Sequence, residues 1–459
     1  MNRPIRPKER ETIIQSLKSG VVPRTGLQHI QVGRSEELKS FVKDVDTIAE
    51  GGTSFRFVIG EYGSGKTFFL SLVRTIALEK GLVTMHADLS PIKRFHGSDG
   101  QPRLLLSEMV ENLSTRTKPD GNALQNILER FISNAREEAK ANGSNPYDLI
   151  SEKLNELNDY TGGYNFVSVI KKYLEGYESG NQFLMNSALK WLKAGYTTKT
   201  DTLRDLGIRE FISDSSFYNT LKLYSVLVRK AGYKGLLICV DEMVNLYKIP
   251  NSISRKANYE EILSMLNNTL QGSFSNIGFI MGGTPEFLTD NIRGLYSYEA
   301  LKSRLSENSF SKQLGVTDYN SVVLRLASLT KEELYLLLTN LRHVFASGNE
   351  EKYLVPDEAL LAFLHHCSNK IGESYFRTPR TTIKSFLDLL SILEQYPNYK
   401  WSDMISSMEV QKDVEPSQVS NMVVPSLMDT TLEVHHVRNV AGTAPQKSSA
   451  DDAFANFSL

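Results

Sequence analysis

Residues 60 to 67 read Gly60-Glu61-Tyr62-Gly63-Ser64-Gly65-Lys66-Thr67, the spacing G-x-x-x-x-G-K-T. Glycines at this spacing let successive backbone N–H groups turn inward and cradle phosphate oxygens. Lys66 reaches toward β- and γ-phosphates, and the Thr67 hydroxyl is placed to ligate Mg²⁺. The flanks fit such a loop. Ser54 to Ile59 is β-prone, and Phe68 to Ala77 is apolar at helical spacing. The loop therefore joins a strand to a helix N-terminus, where the helix dipole favours an anion. On this reading the binding segment runs from Gly60 through Phe68.

Four further segments carry groups that act on a bound phosphate. Leu236 to Val240 is an apolar run ending in Asp241-Glu242. It delivers two carboxylates to the edge of a sheet, Asp241 for Mg²⁺ and Glu242 for polarising an attacking water. A fourth run, Phe279-Ile280-Met281-Gly282-Gly283, ends at Thr284-Pro285. Thr284 either contacts the γ-phosphate or lytic water, or caps a helix that starts at Pro285. Arg304, in Ala300 to Leu305, is either a group acting on a neighbour's nucleotide or a solvated surface charge. Arg380 opens a helix after Phe376-Arg377-Thr378-Pro379. A cation at a helix N-terminus opposes the dipole, which favours an anionic partner. Arg377 competes with it for that role. Upstream, Val32-Gly33-Arg34-Ser35-Glu36 reads as a turn followed by a capped helix.

These residues need a scaffold. The short apolar runs Phe55 to Ile59, Val83 to Ala87, Leu236 to Val240, Ile277 to Met281 and Val322 to Leu326 are separated by helical stretches. That alternation predicts an α/β fold with a five-stranded parallel sheet. Residues 1 to 30 form a leader with a helix near Glu9 to Ser19. Residues 31 to 328 form the core, interrupted by a helical insertion over about 100 to 215. Amphipathic patterns at Lys331 to Ala346, Pro356 to Ser368 and Thr381 to Gln395 predict a small all-helical domain over 329 to 400. Beyond about 410 the periodicity fades, and the extension over 401 to 459 is expected to be largely irregular or disordered. Its end, with Phe454 and Phe457 beside Asp451-Asp452, is either a docking peptide or an unstructured tail.

Composition narrows the classes. A net charge of −1 over 459 residues excludes a global positive field, so any DNA contact must be a local patch. The basic residues of the insertion (Lys171, Lys172, Lys190, Lys193, Lys199, Arg204, Arg209) are either such a patch or a solvated surface. Two cysteines, Cys239 and Cys367, both in apolar or helical runs, point to reduced core residues rather than a disulfide or metal site. The adjacent pairs His365-His366 and His435-His436 do not face one site on a helix. No run reaches the roughly 18 apolar residues of a membrane span, and no apolar signal core follows the basic N-terminus. A cytoplasmic protein is expected.

In this order the segments resemble an AAA+ ATPase of the branch that includes origin-recognition proteins and STAND switches. The resemblance covers about residues 20 to 395. It implies that Gly33-Arg34 forms part of an adenine pocket, with Ser35 in place of the common acid. It implies that Thr284 is sensor 1, Arg304 an arginine finger and Arg380 sensor 2, around ATP and Mg²⁺. The segment Gly20 to Leu27, Gly282 to Phe287 and Arg304 further resemble the bacterial ATP-binding family of BREX-type phage-defence systems. That implies a DNA-associated, homo-oligomeric ATPase working beside a helicase, methyltransferase or phosphatase. The alternative is a nucleotide-dependent adaptor with slow hydrolysis, its insertion and tail serving as partner surfaces.

Overall fold

The computed structural model describes residues 5–372 and 379–408. Arg377, the pair His435-His436 and the aromatic C-terminus lie outside the described residues. Five strands form one parallel sheet: β1 Thr53–Ile59, β2 Val83–Asp88, β3 Leu236–Asp241, β4 Ile277–Gly283 and β5 Val323–Arg325. Their order is β2-β3-β4-β1-β5. The fifth strand is shorter than its apolar run. Val322 and Leu326 still bond to β1 through backbone groups, each at 2.7 Å.

Side chains of alternate strand residues enter two different apolar clusters, as a sheet covered on both faces requires. Val58, Leu237, Cys239 and Ile280 pack under two helices, α2 Ser35–Ala49 and α3 Lys66–Glu79. Phe55, Phe57, Ile59, Ile238, Val240 and Phe279 face the other way. There they meet helices such as Leu124–Asn142, Gly163–Ser179 and Phe217–Lys230. Phe131, Phe166, Tyr173 and Tyr224 from those helices are fully buried in the same cluster. The insertion thus shares its apolar core with the sheet. The free thiols of Cys239 and Cys367 are buried, and burial pushes each up to about 12.

A third cluster unites the two ends of the described chain. Ile13 and Ile14 of the N-terminal helix α1 Pro7–Lys18 pack with Leu334, Leu338, Phe363, Phe386 and Leu390. These come from the helices Lys331–Phe345, Asp357–Ile371 and Arg380–Gln395. Polar ties reinforce the contact. Arg10 donates to the Phe345 carbonyl at 2.7 Å and pairs with Glu394 at 3.1 Å. Lys18 pairs with Asp388 at 3.3 Å.

Among the described residues no helix is long and apolar enough to cross a membrane. None of their His, Cys, Asp and Glu side chains cluster as a metal site of three or more ligands.

Candidate nucleotide site

Parallel strands bring their C-terminal ends to one edge, and three of the chemistry-bearing segments leave the sheet there. The glycine loop follows β1, Asp241-Glu242 ends β3, and Thr284 follows β4. Register brings them close. Ile59 lies opposite Gly283, and the Gly60 N–H donates to the Gly283 carbonyl at 3.1 Å. Asp88, at the end of β2, lies opposite Asp241.

The loop turns through left-handed glycines, Gly63 at φ 75° and Gly65 at φ 85°, and α3 begins at Lys66. The Lys66 ammonium donates to the carbonyls of Gly60 and Glu61, each at 2.8 Å. Burial lowers its pKa against the pull of Asp241, Glu242, Glu61 and Glu286. The Thr67 hydroxyl donates to an Asp241 oxygen at 2.7 Å, so the two hard oxygen groups already adjoin. The other Asp241 oxygen accepts the Glu242 N–H at 2.8 Å. Glu242 sits at φ 57°, a region costly for a residue with a Cβ, and this turn sets its carboxylate at the sheet edge. Burial and the nearby Asp241 raise its pKa above the ordinary glutamate range.

Two arginines brace the loop at different residues. Arg34, also left-handed at φ 59°, donates to the carbonyls of Ser64 and Ala327, the latter at 3.3 Å. It therefore holds loop backbone as well as lining the cleft, a role beyond the adenine pocket that the resemblance implied. Gly33 makes room for this turn: a Cβ there would lie 2.0 Å from the Glu333 carboxylate. Arg380 donates to the Tyr62 hydroxyl at 3.0 Å and stands over its ring. Its charge also reaches Glu242. The buried Ser64 hydroxyl and the Arg34 Nη1 have no hydrogen-bond partner among the described residues. Unsatisfied donors beside a glycine cradle fit a phosphate ligand.

A cavity of about 190 Å³ extends from this loop. Phe68 and Leu72 of α3 form part of its wall. Val21, Ile30, Leu337 and Ile383 supply apolar surface from the leader and the C-terminal helices. Val21 is 56% exposed, an apolar side chain at the mouth of a cleft. An anion-binding end and an apolar end in one cavity suit a nucleoside phosphate.

A family model for the BREX system ATP-binding protein BrxC/D matches residues 5–409. The chain belongs to this family. It is accordingly an ATP-binding protein of a BREX defence system. No curated protein matches it.

Two residues assigned to this BREX protein's site lie differently from the cleft residues. Thr284 stands at the sheet edge, but its hydroxyl accepts the Phe287 N–H at 3.5 Å, the helix-capping geometry. Arg304 is exposed and does not line the cleft. It donates to Asn267 at 2.8 Å and to the Ala300 carbonyl at 2.7 Å. The apolar wall from Leu17, Val21, Val22 and Ile30 was not among the residues expected at the site. The signal available for it was a Val-Val-Pro run between Gly20 and Gly26, apolar in a segment too short to hold a core of its own.

Arg380→Ala should lower ATP affinity about tenfold, the loss of one charge-assisted contact. Fluorescent-nucleotide titration measures it, and unchanged affinity would remove Arg380 from the site.

Proposed function

We propose that the chain hydrolyses ATP with Mg²⁺ and that the reaction needs a second copy of the chain. The Thr67–Asp241 bond carries this reading, because it ties the phosphate loop to the strand that ends in Glu242. Thr67 and Asp241 would hold Mg²⁺, which neutralises charge between phosphate oxygens. Glu242 accepts a proton from the attacking water, and Lys66 stabilises the charge that builds on the leaving oxygens. Thr284 orients the water from the next strand. In this reading 31–328 is the nucleotide-binding core, and 329–400 is a lid that brings Arg380 to the phosphates.

Arg304 is exposed and absent from its own cleft, which suits an arginine acting on a neighbouring copy. Arg304→Ala is expected to leave ATP affinity intact while hydrolysis falls by about 10³-fold. Wild-type specific activity should rise with protein concentration. Equal specific activity at all concentrations, with no effect of Arg304→Ala, would overturn the shared site.

Gly282→Ala tests the Mg²⁺ assignment. A Cβ at Gly282 would lie 2.3 Å from the Asp241 oxygen that accepts the Glu242 N–H, so the carboxylate must turn and its other oxygen leaves Thr67. ATP should then bind with nearly the same affinity with and without Mg²⁺. A wild-type Mg²⁺ dependence would argue that Asp241 is not its ligand.

Partners are other proteins of the defence system, in the helicase, methyltransferase and phosphatase classes, and DNA is reached through that assembly. Three of the insertion's basic residues pair with carboxylates and support this choice. Lys172 pairs with Glu175, Lys199 with Glu210, and Arg204 with Asp201 and Asp205. Lys190 lies over the Tyr196 ring. Cations already matched by carboxylates offer little to a phosphate backbone.

A further inference from the structure

The other flank of α3 borders a second cavity, of about 260 Å³. Leu70, Ser71, Arg74 and Leu78 form its helical wall, the ends of β2 and β3 its floor, and the leader from Val22 to Leu27 its rim. Two guanidinium groups line it, Arg24 from the leader and Arg74 from α3. Neither makes a side-chain hydrogen bond or an ion pair among the described residues, and each lies within the other's electrostatic reach. The Arg74 Nε and the His86 Nδ1 are sealed from solvent without a partner. Burial, with Arg74 and Arg24 nearby, lowers the His86 pKa to about 3, so its imidazole is neutral near pH 7. It adds a hydrogen-bonding nitrogen to the two charges.

Two like charges sharing a cavity repel, and Asp88, within electrostatic reach of Arg74, makes no ion pair with it that would offset the burial. One group answers both. A phosphoryl group presents several oxygens and two negative charges to forked donors on different sides. A single carboxylate fills one fork and leaves the other arginine and the histidine unmet. The cavity exceeds a bare phosphate. Its polar lining also includes Asn112, Asp88, Asp120 and Asp241, groups that accept hydrogen bonds from hydroxyls.

We propose that this cavity is a second binding site, distinct from the ATP cleft, for a phosphoryl group borne by a small hydroxylated molecule. Arg24 and Arg74 grip the phosphoryl oxygens, and Asp88 and Asp120 take the hydroxyls. Val22 and Thr67 line both cavities, so this site shares a wall with the ATP cleft.

The test uses the full chain carrying Lys66→Ala, which weakens the loop's own hold on phosphate. Calorimetric titration with inorganic phosphate and, separately, with ribose 5-phosphate should each show one saturable site. Adding Arg74→Gln should weaken both about tenfold or more, and Arg74→Lys should recover part of the loss. Arg24→Gln, on an exposed leader residue, should weaken binding similarly without disturbing helix packing. Tighter binding of ribose 5-phosphate identifies the ester as the occupant. Equal affinities would overturn the hydroxyl contacts assigned to Asp88 and Asp120. Absence of binding to the Lys66→Ala chain, or binding indifferent to both arginine substitutions, overturns the proposal.

Discussion

Lys66→Ala will lower ATP affinity by about a hundredfold, close to the ~3 kcal/mol upper range for bonds to a charged group. The reason lies in where the ammonium already sits. It is held by two loop carbonyls at 2.8 Å each, in surroundings dry enough to lower its pKa. An incoming triphosphate exchanges those neutral acceptors for charged ones in a site where water screens little. Removing the amine also frees the Gly60 and Glu61 carbonyls, so the loop loses the clasp that holds its shape. Thermal unfolding with and without ATP reads both effects. Wild type gains stability in proportion to ligand occupancy, whereas the variant gains almost none. An equal shift in both proteins would mean that the loop binds phosphate through its backbone alone.

Glu242→Gln is expected to keep ATP bound while hydrolysis drops by about 10² to 10⁴-fold, the range of a general base. The amide keeps the shape of the side chain at φ 57° but cannot accept the proton of water. The pH profile separates this from a packing defect. Burial and the proximity of Asp241 raise the Glu242 pKa, so acidification protonates it sooner than an ordinary glutamate. Wild-type turnover should therefore fall as pH drops through a range above that of a free glutamate and recover as pH rises. The residual activity of the variant should lack that limb. Turnover at the wild-type rate would sink the assigned role.

How far these residues could be read from the sequence depended on whether their meaning is local. The glycine loop, the apolar strands and the Asp-Glu at a strand end are local patterns, and the sheet places them at one edge. The helices at Lys331–Phe345 and Arg380–Gln395 were legible from apolar spacing in the same way. What those helices meet was not. A helical stripe says which face is apolar, not that Ile13 and Ile14 lie against it from the far end of the chain. The insertion was read as a subdomain for the same reason. Its apolar faces are plain in sequence, but their junction with Phe57 and Ile238 is a tertiary fact. Arg56 is another example. It looks like a polar interruption of β1, yet it is buried and bonded to both oxygens of Asp44, at 2.7 and 3.1 Å. The charge run of the insertion is another case, because Lys199 meets Glu210, eleven residues away, a pairing that composition does not give.

The union of the N-terminal helix with the C-terminal helices sets a timetable for synthesis. A ribosome that has delivered the chain through β5 has made the whole phosphate loop and every carboxylate around it. It has not yet made Leu337, Arg380 or Ile383, which close the cleft. At about 5–20 residues per second, the nascent N-terminal helix waits on the order of tens of seconds for the surfaces that cover Ile13 and Ile14. During that interval its apolar stripe is a natural substrate for chaperones, and the unfinished chain cannot enclose a nucleotide. ATP capture thus waits for the helices after β5, and products truncated before them are left with phosphate-binding residues but no complete pocket.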